Sequence, residues 1–112
     1  MQPLPLEITP REAKERLDAG ERIRLIDVRE SAEHAISRIA GAEPIPMGWV
    51  PSQLQQLDAA ADDHLLVVFC HAGVRSLNVV HWLREQGVEN CQSMAGGIDR
   101  WSEEIDASVP RY

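Results

Sequence analysis

The segment from Cys70 to Ser76 contains the residue types that could perform chemistry. Cys70 directly follows an apolar run, and a stretch of helical composition begins five residues later. A cysteine between a buried strand and a helix N-terminus lies near unpaired N–H groups and the positive end of the helix dipole. Both stabilise a thiolate. We therefore expect the pKa of Cys70 to be lowered and Cys70 to be a nucleophile.

The residues after Cys70 have the properties of an anion-binding loop. Gly73 can adopt a backbone conformation that other residues avoid, which turns successive N–H groups inward as a nest. Arg75 can direct its planar guanidinium at an oxyanion or hold the loop, and Ser76 can cap the next helix or donate to the bound group. No acidic residue occurs from Phe69 to Ser76, although the chain has a net charge of -7. The predicted substrate-binding residues are His71, Ala72, Gly73, Val74, Arg75 and Ser76.

The elements around this loop predict an α/β fold with a mainly parallel central sheet. Leu65–Phe69 is a continuous apolar run, typical of a strand that is buried on both faces. A long helix is predicted over Arg75–Gln86, because Gly87 can end it. Strands that alternate with helices favour a parallel sheet, and ligands of such sheets bind beyond the carboxyl ends of the strands, where Cys70 lies. The other predicted elements are strands at Leu6–Ile8, Ile23–Val28 and Val88–Met94, helices at Pro10–Ala19, Ser31–His34, Pro51–Leu57 and Ile98–Glu104, and a loop from Gly41 to Pro51.

Length, composition and charge exclude several classes of function. A chain of 112 residues has room for one domain, which we place over residues 1–112. The net charge of -7 argues against nucleic-acid binding, which needs a basic face. The chain has no apolar run near the ~20 residues of a membrane span and no signal-like segment at its start, so we expect a cytoplasmic protein without a membrane partner. We also expect a monomer, and a size-exclusion mass of twice 12.5 kDa would contradict this.

The cysteines and histidines suggest neither a metal site nor a disulfide framework. Cys70 and Cys91 are the only two cysteines, and their spacing matches no zinc pattern. His64 and His81 lack companions at metal-ligand spacing. We therefore expect no metal and no cofactor. Cys91 is interpreted as an inert core residue, with a resolving thiol as the alternative.

The pattern Cys70-x-x-Gly73-x-Arg75-Ser76 resembles the active-site loop of rhodanese-like domains, in which the cysteine accepts sulfane sulfur. Three further segments resemble family motifs in the same order: Leu25–Glu30, Ile39–Ala42, and Gly96-Gly97-Ile98 with Trp101. The resemblance implies one rhodanese-like domain with helices on both faces of the sheet. It also implies transfer of sulfur from an anion such as thiosulfate, through a Cys70 persulfide, to cyanide, a thiol or a protein. Ser37-Arg38 departs from the family's usual Gly-His, and we expect local repacking there.

Two other functions are alternatives for a cysteine at this position. Cysteine-dependent phosphatases and arsenate reductases resemble Cys-x5-Arg, whereas four residues separate Cys70 from Arg75 here. A shorter loop makes a tighter cradle, which suits a persulfide sulfur better than a tetrahedral phosphate. A non-catalytic binding module of the same fold is the second alternative, and the intact cysteine argues against it.

Residues outside the loop are predicted mainly to support the site or to stabilise the fold. Asp27 and Arg29 are predicted to support the site, through an ion pair near the strand ends. Trp49 either flanks the mouth of the site or is buried. Structural roles are expected for Glu33, His34, Trp82 and Trp101, with a catalytic base as the alternative for His34.

Overall fold

The sheet that positions the loop is parallel throughout. The computed structural model describes residues 4–112, so residues 1–3 of the predicted domain lie outside the described residues. The strands are β1 (Glu7–Ile8), β2 (Ile23–Asp27), β3 (Glu43–Pro44), β4 (Leu65–Phe69) and β5 (Cys91–Met94). Their order across the sheet is β1-β5-β4-β2-β3, and every described pair is parallel. This confirms the predicted fold class and places β4, which ends just before Cys70, in the centre.

Helices cover both faces of this sheet, as expected. They are α1 (Pro10–Asp18), α2 (Ser31–Ile36), α3 (Leu54–Ala61), α4 (Val74–Glu85) and α5 (Gly97–Glu104), with a 3₁₀ helix at Met47–Gln53. Alternate residues of β4 point to opposite faces. Leu66 and Val68 pack in the core that includes α3 and α4, and Val67 and Phe69 pack in the core that includes α1 and α5. Within residues 4–112, no helix is both long enough and apolar enough to cross a lipid bilayer.

The predictions were wrong in two segments. Residues 41–51 are not all loop, because β3 pairs with β2 and the backbone N–H of Ile45 donates to the carbonyl of Asp27 at 2.8 Å. Pro44 is tolerated because β3 is an edge strand. The last strand starts at Cys91 and not at Val88. The N–H of Val88 donates to the carbonyl of Leu83 at 2.9 Å, so Val88 closes the end of α4 instead.

The tryptophans differ in burial. Trp101 is 5% exposed and lies in the core with α1 and α5, as predicted. Trp82 is partly buried against the other core. Trp49 is 66% exposed, so of the two interpretations burial is wrong.

Candidate active site

Cys70 lies where β4 ends and its sulfur faces the start of α4. Its Sγ accepts hydrogen bonds from the backbone N–H groups of Gly73 at 3.1 Å and Ser76 at 3.4 Å. Gly73 is the residue that precedes α4, and its φ of +103° is one that side chains with a Cβ rarely adopt. Ser76 is the third residue of the helix and does not cap it, which corrects one of its two predicted roles. Its Oγ lies 3.5 Å from Cys70 Sγ instead.

The two cysteines are equally buried but have opposite hydrogen bonding. Cys70 is 1% exposed and Cys91 is 0% exposed. Burial works to raise the pKa of Cys70, but hydrogen bonds from the Ser76 side chain and from the loop N–H groups outweigh it and lower this pKa. Burial raises the pKa of Cys91, whose Sγ donates to the carbonyl of Val88 at 3.4 Å. Hydrogen-bond direction therefore distinguishes a stabilised thiolate from a neutral thiol.

The start of α5 fixes the orientation of the loop peptides. The N–H of Ile98 donates to the carbonyl of Cys70 at 2.9 Å, and the N–H of Asp99 donates to the carbonyl of His71 at 3.1 Å. These carbonyls are therefore held by one helix N-terminus, while the N–H groups of Gly73 and Ser76 point at the sulfur from another. The side chains of Ala72 and Val74 are exposed at the rim.

Arg75 is paired with a carboxylate of α2. Its Nη1 and Nη2 donate to Oε1 and Oε2 of Glu33 at 2.6 Å and 2.9 Å. The Glu33 carboxylate also accepts from the N–H of Glu30 at 3.1 Å. Of the two roles predicted for Arg75, the geometry therefore favours holding the loop. The structural role predicted for Glu33 is consistent with this contact, but its pairing with Arg75 could not be predicted, because 42 residues separate them.

Asp27 and Arg29 form the predicted ion pair at the end of β2. Arg29 Nη2 lies 2.7 Å from Asp27 Oδ2, and both side chains are 0% exposed. The same guanidinium donates to the backbone carbonyls of Glu33 and Ser37, and His34 Nδ1 lies 2.9 Å from Asp27 Oδ2. The pair thus anchors α2, the helix that presents Glu33 to Arg75. His34 contacts Asp27 in this anchor, which agrees with its structural interpretation.

Tyr112 contributes to the same network, although the sequence predicts no role for it. Its hydroxyl accepts from Arg29 Nη1 at 3.0 Å and donates to Glu33 Oε2 at 2.6 Å. Its ring meets the ring of His71 edge-on, with 4.3 Å between the centroids. Tyr112 therefore links His71 of the loop to the Glu33–Arg75 pair, and no local sequence motif predicts this contact.

The Glu33–Arg75 pair should contribute to stability in a pH-dependent way. The side-chain hydrogen bond from Arg75 is the main cause that lowers the pKa of Glu33 to about 2. A lowered pKa in the folded state means that the contribution is present above about pH 5 and is lost as the pH falls toward 2. Glu33→Gln should therefore lower the free energy of unfolding by about 1 kcal/mol at pH 7 and by much less near pH 2.

This prediction is checked by urea unfolding of wild type and variant at a series of pH values. Glu103→Gln, an exposed change on α5, controls for removing one negative charge from an acidic protein. A wild-type advantage over Glu33→Gln that stays constant down to pH 2 would contradict the assignment of the pKa shift to this pair.

Comparison with known proteins identifies the family. The family model for the rhodanese-like domain matches residues 9–104, which include the loop from Cys70 to Ser76. The chain belongs to the rhodanese-like domain family. The resemblance stated from the sequence motifs is thereby confirmed.

Two relatives of this rhodanese-like domain match it over most of their own length. Thiosulfate sulfurtransferase GlpE of Haemophilus influenzae is 40% identical over 95 residues, which cover 85% of this chain and 86% of that protein. YtwF of Bacillus subtilis is 39% identical over 98 residues, which cover 88% of this chain and 91% of that protein. Identities of 39–40% over most of both chains support the same family assignment.

Other relatives are much longer than this rhodanese-like domain. The maize protein named adenylyltransferase and sulfurtransferase MOCS3-2 is 35% identical over 94% of this chain. The chain spans only 23% of the length of that protein. Rhodanese-like domains thus occur both alone and as parts of larger enzymes.

Solved structures show the same fold. The human single-domain sulfurtransferase TSTD1 superposes with a TM-score of 0.73 at 28% identity, over 90% of this chain and 98% of that one. The protein SSP1007 of Staphylococcus saprophyticus superposes with a TM-score of 0.76 at 34% identity, over 88% of this chain and 95% of that one. The order of strands and the helices on both faces are therefore those of a rhodanese-like domain.

Proposed function

We propose that the chain is a monomeric cytoplasmic sulfurtransferase in which Cys70 carries sulfane sulfur as a persulfide. The hydrogen bonding of the Cys70 sulfur is the observation that carries this proposal. Two backbone N–H groups and a serine hydroxyl converge on Sγ, and together they lower its pKa against the effect of burial.

The first half-reaction loads the cysteine. The Cys70 thiolate attacks the outer sulfur of thiosulfate, a new S–S bond forms, and the S–S bond of thiosulfate breaks. Sulfite leaves with the electron pair, and the charge of the products equals that of the reactants. The persulfide anion that remains is stabilised by the positive end of the α4 dipole, as the thiolate was, because the start of α4 points at it.

The second half-reaction unloads the sulfur. Cyanide, a thiol or a partner protein attacks the outer sulfur of the persulfide, and Cys70 leaves as a thiolate. Since its pKa is lowered, Cys70 is a better leaving group than an ordinary cysteine. Two chemical steps on one residue predict ping-pong kinetics.

The relatives support this choice of chemistry. GlpE of Haemophilus influenzae is named a thiosulfate sulfurtransferase and TSTD1 a sulfurtransferase, and the chain covers most of each. The maize relative is also named a sulfurtransferase, although this chain covers only 23% of its length.

Intact mass spectrometry after incubation with thiosulfate tests the proposal. We expect a gain of one sulfur atom, located on the peptide that contains Cys70, lost on addition of cyanide and absent in Cys70→Ala. Sulfur on the Cys91 peptide would contradict the assignment of the nucleophile. No sulfur from either thiosulfate or glutathione persulfide would contradict the function, and hydrolysis of an aryl phosphate would then favour a phosphatase.

A further inference from the structure

A pair of buried hydroxyl groups lies behind the sulfur of Cys70. Ser76 Oγ is 3.5 Å from Cys70 Sγ and 2.7 Å from the Oγ of Ser93 on β5. Ser76 and Ser93 are both 0% exposed, so solvent does not compete for these contacts. The three atoms form a short chain that runs from the end of β4, through the first turn of α4, to the adjacent strand.

The number of available protons sets the direction of this chain. A serine hydroxyl donates one proton and can accept others, whereas a thiolate can only accept. When Cys70 is anionic, the proton of Ser76 must point at the sulfur for that contact to be a hydrogen bond. The contact between Ser76 and Ser93 is then a hydrogen bond only if Ser93 donates. When Cys70 is a neutral thiol, both directions can reverse.

We propose that Ser93 is a positioning residue, which orients the Ser76 hydroxyl toward the sulfur whenever Cys70 is anionic. The inference rests on the proposed function, because it assigns Ser93 to the reactive state of that same cysteine. Ser93 does not contact the sulfur, so it acts only through Ser76. A donor on Ser76 also polarises the hydroxyl that it contacts, which strengthens the hydrogen bond to an anion.

The position of Ser93 in the sheet makes it a rigid donor. Its backbone N–H donates to the carbonyl of Leu6 at 2.8 Å, and it is paired in register with Val68 of β4. Residues two apart on a strand share a face, so Ser93 lies on the same face as Cys91, which packs in the core with α4. Its side chain is therefore held beneath the start of the helix that carries Ser76.

The test is the pH dependence of the Cys70 thiolate, followed by its ultraviolet absorbance and by alkylation with iodoacetamide on the Cys70 peptide. Removing the direct donor in Ser76→Ala should raise the pH midpoint by about one unit, equal to a tenfold loss of thiolate below the midpoint. Ser93→Ala should raise it by about half a unit. In the Ser76→Ala background, Ser93→Ala should add no further shift, because its route to the sulfur is gone.

Matched variants separate this role from a merely structural one. Ser93→Thr keeps the hydroxyl and should keep the pH midpoint of the wild type. Valine has nearly the same shape as threonine but no hydroxyl, so Ser93→Val should shift the midpoint as Ser93→Ala does. Ser102→Ala removes another buried serine hydroxyl, one that donates to the carbonyl of Val109, and should leave the midpoint unchanged. Equal midpoints for the threonine and valine variants would overturn the proposal, and so would a shift that persists without the Ser76 hydroxyl.

These readouts need no sulfur donor. A normal gain of sulfur from thiosulfate together with an unshifted midpoint in Ser93→Val would remove this inference and leave the proposed function intact. The expected midpoint shifts in a protein that gains no sulfur would support the role of Ser93 toward the thiolate and remove the proposed function.

Discussion

Cys70→Ser is expected to lower the rate of sulfur transfer from thiosulfate to cyanide by at least about 10³-fold. The serine hydroxyl fits the same position and accepts the same hydrogen bonds from Gly73 and Ser76. At neutral pH, however, it is not ionised and is a poor nucleophile toward sulfur. The loss should therefore come from chemistry and not from unfolding, which circular dichroism on heating would verify.

Cys91→Ala is the matched control for this substitution. It also removes a buried thiol, one that donates to the carbonyl of Val88 and whose pKa burial raises. We expect its turnover to stay within about threefold of wild type at temperatures where it is folded, since burial raises the pKa of the Cys91 thiol and keeps it neutral near pH 7. Full turnover in Cys70→Ser, or a comparable loss in Cys91→Ala, would mean that the nucleophile is misassigned.

Gly97→Ala is expected to be the most damaging single methyl group that can be added near the site. A Cβ at Gly97 would lie 2.4 Å from the carbonyl oxygens of both Cys70 and His71, and Gly97 has a φ of +60°. Backbone atoms cannot turn aside as a side chain can, so the loop or the start of α5 must shift. The expected cost is about 3 kcal/mol of unfolding free energy, with a large loss of persulfide formation in the protein that stays folded.

Gly87→Ala is the matched control for this prediction. Gly87 has a φ of +92°, but nothing lies within 4 Å of a Cβ built there. This variant should show only the conformational cost, about 1–2 kcal/mol, and should retain its rate of persulfide formation. Urea unfolding and single-turnover labelling with thiosulfate measure the two effects. Equal results for the two variants would show that the close approach of Gly97 to the loop has no consequence.

The parts of the fold predicted from sequence are those that local chemistry determines. The five apolar residues Leu65–Phe69 form β4 with the predicted bounds, because a strand buried on both faces needs an uninterrupted apolar run. Gly73 has a positive φ, the backbone conformation that was expected of it as the glycine of an anion-binding loop. The position of Cys70 was predicted from the strand before it and the helix after it, β4 and α4. The strand at Glu43–Pro44 was not predicted because Gly41, Pro44 and Pro46 favour a loop, and only pairing at the sheet edge makes it a strand.

The parts that could not be predicted depend on contacts between distant segments. Glu33 and Arg75 are 42 residues apart, Ser76 and Ser93 are 17 apart, and Arg29 and Tyr112 are 83 apart. No spacing rule on one helix or strand brings such residues together. To predict these pairs one would need to know where α2, β5 and the final residues lie relative to the loop. The sheet topology determines those positions.

The attachment of Cys70 to both cores has a consequence for its motions. Cys70 belongs to the core with α3 and α4, and the preceding Phe69 belongs to the core with α1 and α5. The carbonyl of Cys70 also accepts a hydrogen bond from the backbone N–H of Ile98, at the start of α5. Opening the chain at this point disturbs both layers, so local unfolding there costs nearly as much as global unfolding. Heat should thus inactivate the protein and melt it together, in contrast to enzymes whose mobile lids fail first.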